Sequence, residues 1–468
     1  MGNSSSTQTI AEEADEILYP TMLTTSVNFH HVNAGPQDPY TKLHQLLRAN
    51  HATFAVLYND RRFHNHVPHA LGSAYMLGAS AQQLVDLYEH ITADLEEWKE
   101  DTPAEVTADD WRNFYGQREY QRGYRDYFDD EVVDASYDWK KIVNKYLLAD
   151  ETTLLNGLFG GLAHPLIHTA YAYELNSAEI ATEALTLAAT NYPPYTHLIE
   201  LYLQNYDGLK SPQAVKYWEK DPLVLLKDIR DAPELDSISI EKCNNLDVAH
   251  IAEEFEEQIV GYFFRLDTSD LDAAIYRLFH TSSLLLTATH NTGNYQFDFV
   301  LVHTLTAAHA THVLGSRLAD KHKVSIVAEL WLFIILAYIC AQRPAVHESR
   351  VRNYDAILEE NRNWQFLSEL ALSGKMKFNE HYLKAIRALK TLYEMCPDPE
   401  QKDLYLLEGA LFANEAKGFI FGTRAADSKC TLDSKLLTRA DLATRRLVEE
   451  TGRQDRKQLV VEHNVRIL

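Results

Sequence analysis

The chain has 468 residues, of which 46% are hydrophobic and 24% charged, so it is long enough for one large domain or a few small ones. Its formal net charge of −23 disfavours nonspecific binding to nucleic acid or to an anionic membrane surface. The four cysteines are scattered and form no CxxC pair, so we expect free thiols in a reducing, cytoplasmic compartment.

The N-terminus, MGNSSS, fits the myristoylation pattern, with Gly2 exposed once Met1 is removed. We interpret residues 1–15 instead as a disordered polar tail, and a single acyl chain would give only weak, reversible membrane attachment. Residues 16–468 are expected to form one domain, as a monomer or a homodimer. The most apolar run, residues 330–341, is too short to cross a bilayer, which predicts a core helix and no integral membrane segment.

Helical periodicity dominates the chain. Ser80 with Gln83 has the pattern of a capping box, and Asn176 with Glu179 predicts a second helix start of the same kind. No segment shows a convincing run of alternating apolar and polar residues. We therefore predict an all-α fold, a large single multi-helix domain with a buried central cavity for a metal and a substrate.

A first histidine cluster directly precedes an apolar helical stretch. His64, His66 and His69 lie within six positions of one another. A surface loop carries histidines at no cost, whereas a buried imidazole needs a hydrogen bond, a carboxylate or a metal as its partner.

An aromatic segment follows at residues 111–131. Trp111, Tyr115, Tyr120 and Tyr124 could line a pocket for a flat aromatic ligand, with arginines nearby for phenolate oxygens. The alternative, slightly favoured by the residues alone, is an aromatic helix that packs on the core.

Two further apolar helical segments carry histidines. His164 and His168 are four residues apart, which places both rings on one helix face, and His303, His309 and His312 lie on the other segment. A single histidine on an apolar face is usually a core residue, but three helices with this feature favour convergence on one centre. Imidazoles without thiolates suit iron, copper, zinc or nickel.

Motifs for nucleotide cofactors are missing from the sequence. It contains no GxGxxG after a strand, no GxxxxGK[ST] phosphate loop and no GxSxG elbow. We therefore expect no flavin or NAD(P)H site.

Several segments in this order resemble the questin oxidase-like family of fungal polyketide pathways. The resemblance depends on FHNHVPHALGSAYMLGAS (63–80), the aromatic segment (111–131), GLFGGLAHPLIHTAYAYEL (157–175), FDFVLVHTLTAAHA (297–310) and EHYLKAIRALKTLY (380–393). It implies oxidative ring cleavage of a hydroxylated anthraquinone, a small aromatic polyketide, to a benzophenone-type product. One branch of the family resembles non-haem iron dioxygenases that use O2, several histidines and a carboxylated lysine.

The resemblance leaves alternatives open. A metal-free enzyme of the same family would act as a Baeyer–Villiger-type oxygenase, with histidines as general bases. A non-enzymatic helical binding protein, in which the histidines are structural, is the third alternative. Metal analysis separates the iron enzyme from both.

If the iron branch applies, we expect Fe(II) to be bound by four of five histidines, namely His66, His69, His164, His168 and His303. His64 is expected to cap the following helix or to donate a hydrogen bond to a ligand. The anionic ligand implied by the resemblance would be a CO2-derived carbamate on Lys377, which lies just before Asn379, the expected cap of the next helix. A lysine in an apolar setting loses its proton more easily and can then take up CO2. The alternative is a surface lysine that packs only its apolar stem.

Overall fold

The computed structural model describes residues 38–59, 63–99, 102–149, 154–209, 218–238, 248–290 and 295–420. The N-terminal tail with Gly2 lies outside the described residues, as do Cys243 and Cys430. Cys340 and Cys396 are buried, and neither forms a disulfide among the described residues, as the composition predicts.

The described residues form an all-α fold, as the periodicity predicts. The helices of the first half are α1 (Pro39–Thr53), α2 (Val67–Met76), α3 (Ala81–Thr92), α4 (Gln121–Asp134), α5 (Trp139–Leu147), α6 (Gly160–Leu175), α7 (Ala178–Thr190), α8 (Thr196–Leu209) and α9 (Pro222–Asp231). Those of the second half are α10 (Val248–Glu254), α11 (Glu256–Phe263), α12 (Leu271–Thr287), α13 (Phe299–Gly315), α14 (Asp320–Cys340), α15 (Glu348–Arg352), α16 (Trp364–Ser373), α17 (Glu380–Met395) and α18 (Pro399–Glu415). Short 3-10 turns lie at Trp111–Phe114, Arg118–Tyr120, Leu154–Gly157, Pro233–Leu235 and Glu359–Asn361.

Two pairs of two-residue strands accompany the helices. Strand β1 (Leu57–Tyr58) pairs antiparallel with β2 (Phe63–His64), so that Leu57 lies opposite His64. Strand β3 (Phe297–Asp298) pairs in parallel with β4 (Phe419–Ile420), so that Phe297 lies opposite Phe419. The second pair fixes the chain directly before α13.

Four helices form a closed ring of contacts at the centre of the fold. Helix α2 packs against α6, α6 against α13, α13 against α17, and α17 again against α2. Nearly every side chain of α13 is buried, because α12 and α14 cover its remaining faces. The ring therefore encloses an interior to which each of the four helices contributes side chains.

The starts of α3 and α7 confirm one capping prediction and correct another. Ser80 and Gln83 form both hydrogen bonds of the capping box at the start of α3. The N-cap of α7 is Ser177, not Asn176, since the Ser177 hydroxyl accepts a hydrogen bond from the Ile180 N–H. Asn176 instead ends α6 with a left-handed φ of 49°, a conformation that asparagine tolerates well.

Helix α14 contains the most apolar run of the chain. By length and composition it could cross a membrane, yet the whole of its apolar window is buried inside the protein. This is the environment of a core helix, as the sequence predicts for this run.

Candidate metal centre

Each of the four helices of the ring places one histidine in the interior, either from the helix itself or from the residue directly before it. His66 directly precedes α2, His164 lies in α6, His303 in α13 and His381 in α17. One nitrogen of each ring lies within 4.8 Å of the corresponding nitrogens of the other three. We call these residues the four-histidine group. Three of the rings are buried and His66 is partly exposed.

The Nδ1 contacts of three rings indicate which nitrogen of each ring faces the centre. The Nδ1–H of His164 donates to the Gly161 carbonyl at 2.6 Å, and that of His303 donates to the Phe299 carbonyl at 2.7 Å. His381 Nδ1 lies 3.2 Å from a carboxylate oxygen of Glu380. Because a carbonyl oxygen only accepts, the Nδ1 atoms of His164 and His303 carry the proton and their Nε2 atoms keep the lone pair. The carboxylate beside the Nδ1 of His381 favours the same tautomer of that ring.

Two of these Nε2 atoms lack a hydrogen-bond partner among the described residues, and the third lies next to another imidazole nitrogen only. The Nε2 atoms of His303 and His381 are buried with no hydrogen-bond partner among the described residues. The Nε2 atoms of His66 and His164 lie 2.8 Å apart. Two imidazoles at metal–nitrogen distances of about 2.1 Å from one ion have their ligating atoms about 3 to 4 Å apart. A single transition-metal ion therefore fits this donor set, and imidazole-only sites suit iron, zinc, copper and nickel.

The backbone conformation at the start of α6 positions His164. Gly161, Leu162 and Ala163 all adopt left-handed φ values, between 54° and 62°, directly before the His164–Pro165 pair. A Cβ atom on Gly161 would lie 2.6 Å from the Nε2 of His64, so glycine is required there both for its φ and for its lack of a side chain. This turn brings the Gly161 carbonyl to the His164 ring.

Helix α17 brings His381 and a buried lysine to the centre. The Asn379 side chain accepts a hydrogen bond from the Tyr382 N–H, which confirms the predicted cap and places His381 in the first turn. Lys384, three residues on, is 1% exposed, and its Nζ has no hydrogen-bond partner among the described residues. Burial lowers the pKa of Lys384 to about 7.

Burial also makes the imidazoles of this interior neutral. Burial first, and then neighbouring histidines and Lys384, hold the pKa of His164 well below its usual range. The pKa values of His66, His303 and His381 are lowered in the same direction, again with burial as the largest cause. Neutral imidazole is the form that binds a metal.

Three of the five histidines expected from the sequence belong to the four-histidine group, namely His66, His164 and His303. His69 and His168 do not belong to it, although their rings meet at a centroid distance of 4.2 Å. The His168 Nε2 lies 3.8 Å from a carboxylate oxygen of the buried Glu183. Sequence reasoning missed His381, because this histidine has no second histidine three or four residues away on its helix. The signal that remained was an isolated histidine next to a helix cap.

His64 is placed beside the group rather than at a helix cap. The N-cap position of α2 is His66, and the Asn65 side chain accepts a hydrogen bond from the Val67 N–H, so the expected capping role of His64 is wrong. The His64 ring stacks on that of His164 at a centroid distance of 3.9 Å with an interplanar angle of 1°. It therefore restrains the plane of His164, and this is compatible with a supporting role.

Lys377 lies in a different environment from Lys384. It is half-buried, and its Nζ lies 4.8 Å from the centroid of the Phe378 ring. The Phe378 ring in turn stacks on His90 of α3. The lysine buried next to His381 in the ring of helices is Lys384.

The four aromatic residues predicted to bind substrate pack among themselves and their neighbours. Trp111 contacts Tyr115 edge-on, and the Tyr124 hydroxyl donates to the Trp111 carbonyl at 2.5 Å. Tyr115 stacks on Tyr192, and Tyr120 stacks on Phe114. These contacts agree with the alternative in which the aromatic segment packs on the core. The aromatic rings that contact His381 are those of Phe299 and Phe419, at 4.8 and 5.8 Å.

The fold and the site define an all-helical protein with a buried centre of four histidines. The family model "Questin oxidase-like" matches residues 63–389, a span that includes all four histidines and Lys384. The chain belongs to the questin oxidase-like family, as the sequence motifs predict.

Named relatives cover most of the chain at low identity. The Baeyer-Villiger oxidase mdpL of Emericella nidulans is 22% identical over 404 residues, which are 82% of this chain and 88% of the relative. The Baeyer-Villiger monooxygenase dmxR6 of a Cryptosporiopsis species is 22% identical over 82% of this chain and 88% of the relative. A questin oxidase of Aspergillus terreus is 20% identical over 77% of this chain and 82% of the relative. All three names describe oxidoreductases.

Proposed function

We propose that this chain is an O2-dependent oxidoreductase that cleaves a ring of a hydroxylated anthraquinone at an Fe(II) ion held by the four-histidine group. The observation that carries the proposal is the convergence of four imidazoles, of which His303 and His381 have a buried Nε2 with no hydrogen-bond partner among the described residues. Bound Fe(II) would supply the redox chemistry toward O2 that no side chain of the protein supplies. Family membership supports the substrate class.

The proposal includes a carbamate on Lys384, rather than on Lys377, as an anionic ligand. Four neutral imidazoles leave the charge of a divalent ion uncompensated in an apolar interior, which is costly. The Lys384 amine is buried beside His381 and has no hydrogen-bond partner in the part of the chain that the structure describes. A free amine takes up CO2 and releases one proton, and the resulting carbamate carries a negative charge on oxygen.

The binding face for a flat substrate is proposed to lie between His66 and the rings of Phe299 and Phe419. His66 is the partly exposed member of the four-histidine group, so the approach from outside passes it. Phe299 and Phe419 are half-buried and contact His381, and such rings stack on aromatic ligands. In this arrangement the two rings orient the substrate and keep water away from the reacting carbons.

Metal analysis and oxygen uptake test the proposal together. Protein purified anaerobically with Fe(II) and bicarbonate is expected to hold about one iron per chain and to consume O2 with a hydroxylated anthraquinone, without NADPH. Removal of iron by a chelator should abolish turnover, and Fe(II) should restore it. Full activity of chelated, metal-free protein would refute the iron centre.

A pair of variants tests the binding face. Phe299→Ala should raise KM more than it lowers kcat, because it removes a ring that orients substrate. Tyr115→Ala, which removes a ring stacked on Tyr192, should leave KM within twofold and lower stability instead. If Tyr115→Ala raises KM and Phe299→Ala does not, the substrate lies at the aromatic segment.

A metal-free Baeyer–Villiger-type oxygenase is the second candidate, favoured by the names of the relatives. In that mechanism the buried, neutral histidines accept protons from the substrate. Labelled O2 separates the two: a dioxygenase places both oxygen atoms in the product, whereas a monooxygenase reduces one to water and consumes a reductant. One labelled atom in the product, with activity that survives chelation, would favour the second candidate.

A further inference from the structure

Glu380 differs from the other groups that hold the ligand imidazoles. His164 and His303 donate their Nδ1–H to backbone carbonyls, which are neutral. The Nδ1 of His381 lies instead 3.2 Å from Glu380 Oε1, a carboxylate whose side chain is 26% exposed against 6% for the His381 ring. One of the imidazoles thus has an anionic partner.

The same carboxylate acts on the buried lysine. Glu380 lies four residues before Lys384 on α17, a separation that places the two side chains on one helix face. The charge of Glu380 also acts on the Lys384 amine, whose pKa it raises against the larger lowering by burial. Glu380 therefore borders the candidate centre at two points, the ligand His381 and the amine of Lys384.

We propose that Glu380 is a positioning residue for the metal centre, one that fixes the Nδ1–H tautomer of His381 and offsets the charge of a divalent ion. The inference rests on the proposed function, because it requires that the four-histidine group binds a metal. A carboxylate that accepts from a ligand imidazole fixes the ring and raises its basicity, and its loss typically costs 10- to 100-fold in metal affinity. A carboxylate on Glu380 and a carbamate on Lys384 together balance the two charges of Fe(II).

A purely structural role for Glu380 is the competing explanation. An acidic residue in the first turn of a helix interacts favourably with the helix dipole, so substitution would lower stability even without a metal. The test therefore needs a readout that the helix dipole does not change. Metal affinity and the absorption spectrum of bound Co(II) are such readouts.

The experiment compares four variants with the wild-type full chain. Glu380→Gln keeps an oxygen acceptor without the charge, Glu380→Ala removes both, and Glu380→Asp keeps the charge at shorter reach. Glu394→Gln is the matched control, since Glu394 is an exposed residue near the other end of α17 that pairs with Lys390. Fe(II) and Co(II) affinities are measured anaerobically by competition with a chromophoric chelator, and the thermal midpoint of each metal-free variant is recorded.

We expect Glu380→Gln to weaken Co(II) and Fe(II) binding 10- to 100-fold and to shift the Co(II) spectrum, with a larger loss for Glu380→Ala. Glu380→Asp should recover part of the affinity, and Glu394→Gln should match wild type. Affinities of Glu380→Gln within twofold of wild type, or losses that simply follow the thermal midpoints, would refute the positioning role. Wild-type protein that binds neither ion would instead overturn the metal centre itself, and the role of Glu380 with it.

Discussion

Lys384→Met is expected to stabilise the metal-free protein while it abolishes iron binding. Lys384 is 1% exposed, its Nζ has no hydrogen-bond partner among the described residues, and burial lowers its pKa from 10.5 to about 7. In the unfolded chain the amine keeps its ordinary pKa, so between pH 7 and 10.5 the unfolded state binds the additional proton. The free-energy cost that Lys384 imposes on folding is therefore absent above pH 10.5, and it grows as the pH falls to about 7.

The size of the effect follows from the pKa. At about 1.4 kcal/mol for each unit, the buried amine costs about 4 kcal/mol at pH 7 and about 2 kcal/mol at pH 9. Methionine has a similar volume and no charge, so the variant should gain up to these amounts in its free energy of unfolding. The measurement is urea denaturation at both pH values, with chelator present and bicarbonate absent.

Lys377→Met is the control, because Lys377 is half-buried and lies over the Phe378 ring. It should change neither the pH dependence of unfolding nor the iron content. In contrast, Lys384→Met should lose iron and activity. Lower stability of Lys384→Met at pH 7, or a pH dependence equal to that of wild type, would refute the interpretation of Lys384 as a buried free amine.

Three other substitutions test separate parts of the structure. His381→Ala should lower iron from about one per chain to below a tenth, as measured by elemental analysis, and normal iron would remove His381 from the site. Burial raises the pKa of Glu408 to about 8, so its cost is absent below pH 4.5 and grows up to pH 8. Glu408→Gln should therefore gain up to about 3 kcal/mol at pH 7 by urea denaturation, with no gain at pH 4. Gly161→Ala should lose at least about 1 to 2 kcal/mol from its left-handed φ and displace the His64 ring, which a lower thermal midpoint and weaker iron binding would show.

Local patterns in the sequence were enough for the fold class and for much of the site. Apolar spacing of three and four residues predicted the all-α architecture, because an amphipathic helix must bury one face. Capping chemistry located the starts of α3 and α17, since Ser80 and Asn379 satisfy backbone N–H groups of their own helices. The pair His164–His168 and the position of His303 pointed to buried imidazoles that need partners.

Tertiary packing decided which residues meet. His381 became a member of the four-histidine group because α17 closes the ring of helices between α2 and α13, a contact between segments far apart in the sequence. The same packing selected between residues that local spacing cannot tell apart. His164 reached the group and His168 did not, because four residues displace the second ring about 6 Å along the helix axis, where its Nε2 lies near Glu183.

Burial, too, is a property of the folded chain. Lys377 lies just before the EHYLKAIRALK segment and Lys384 lies within it, and only the depth of each in the fold distinguishes a half-buried lysine from a fully buried one. The sequence by itself determined the all-α fold class, the caps at Ser80 and Asn379, and which helical segments carry histidines. The closed ring of four helices decided which imidazoles, and which lysine, are buried in the same interior. Desolvation there favours their neutral forms, and a neutral imidazole or amine can bind a metal or react with CO2.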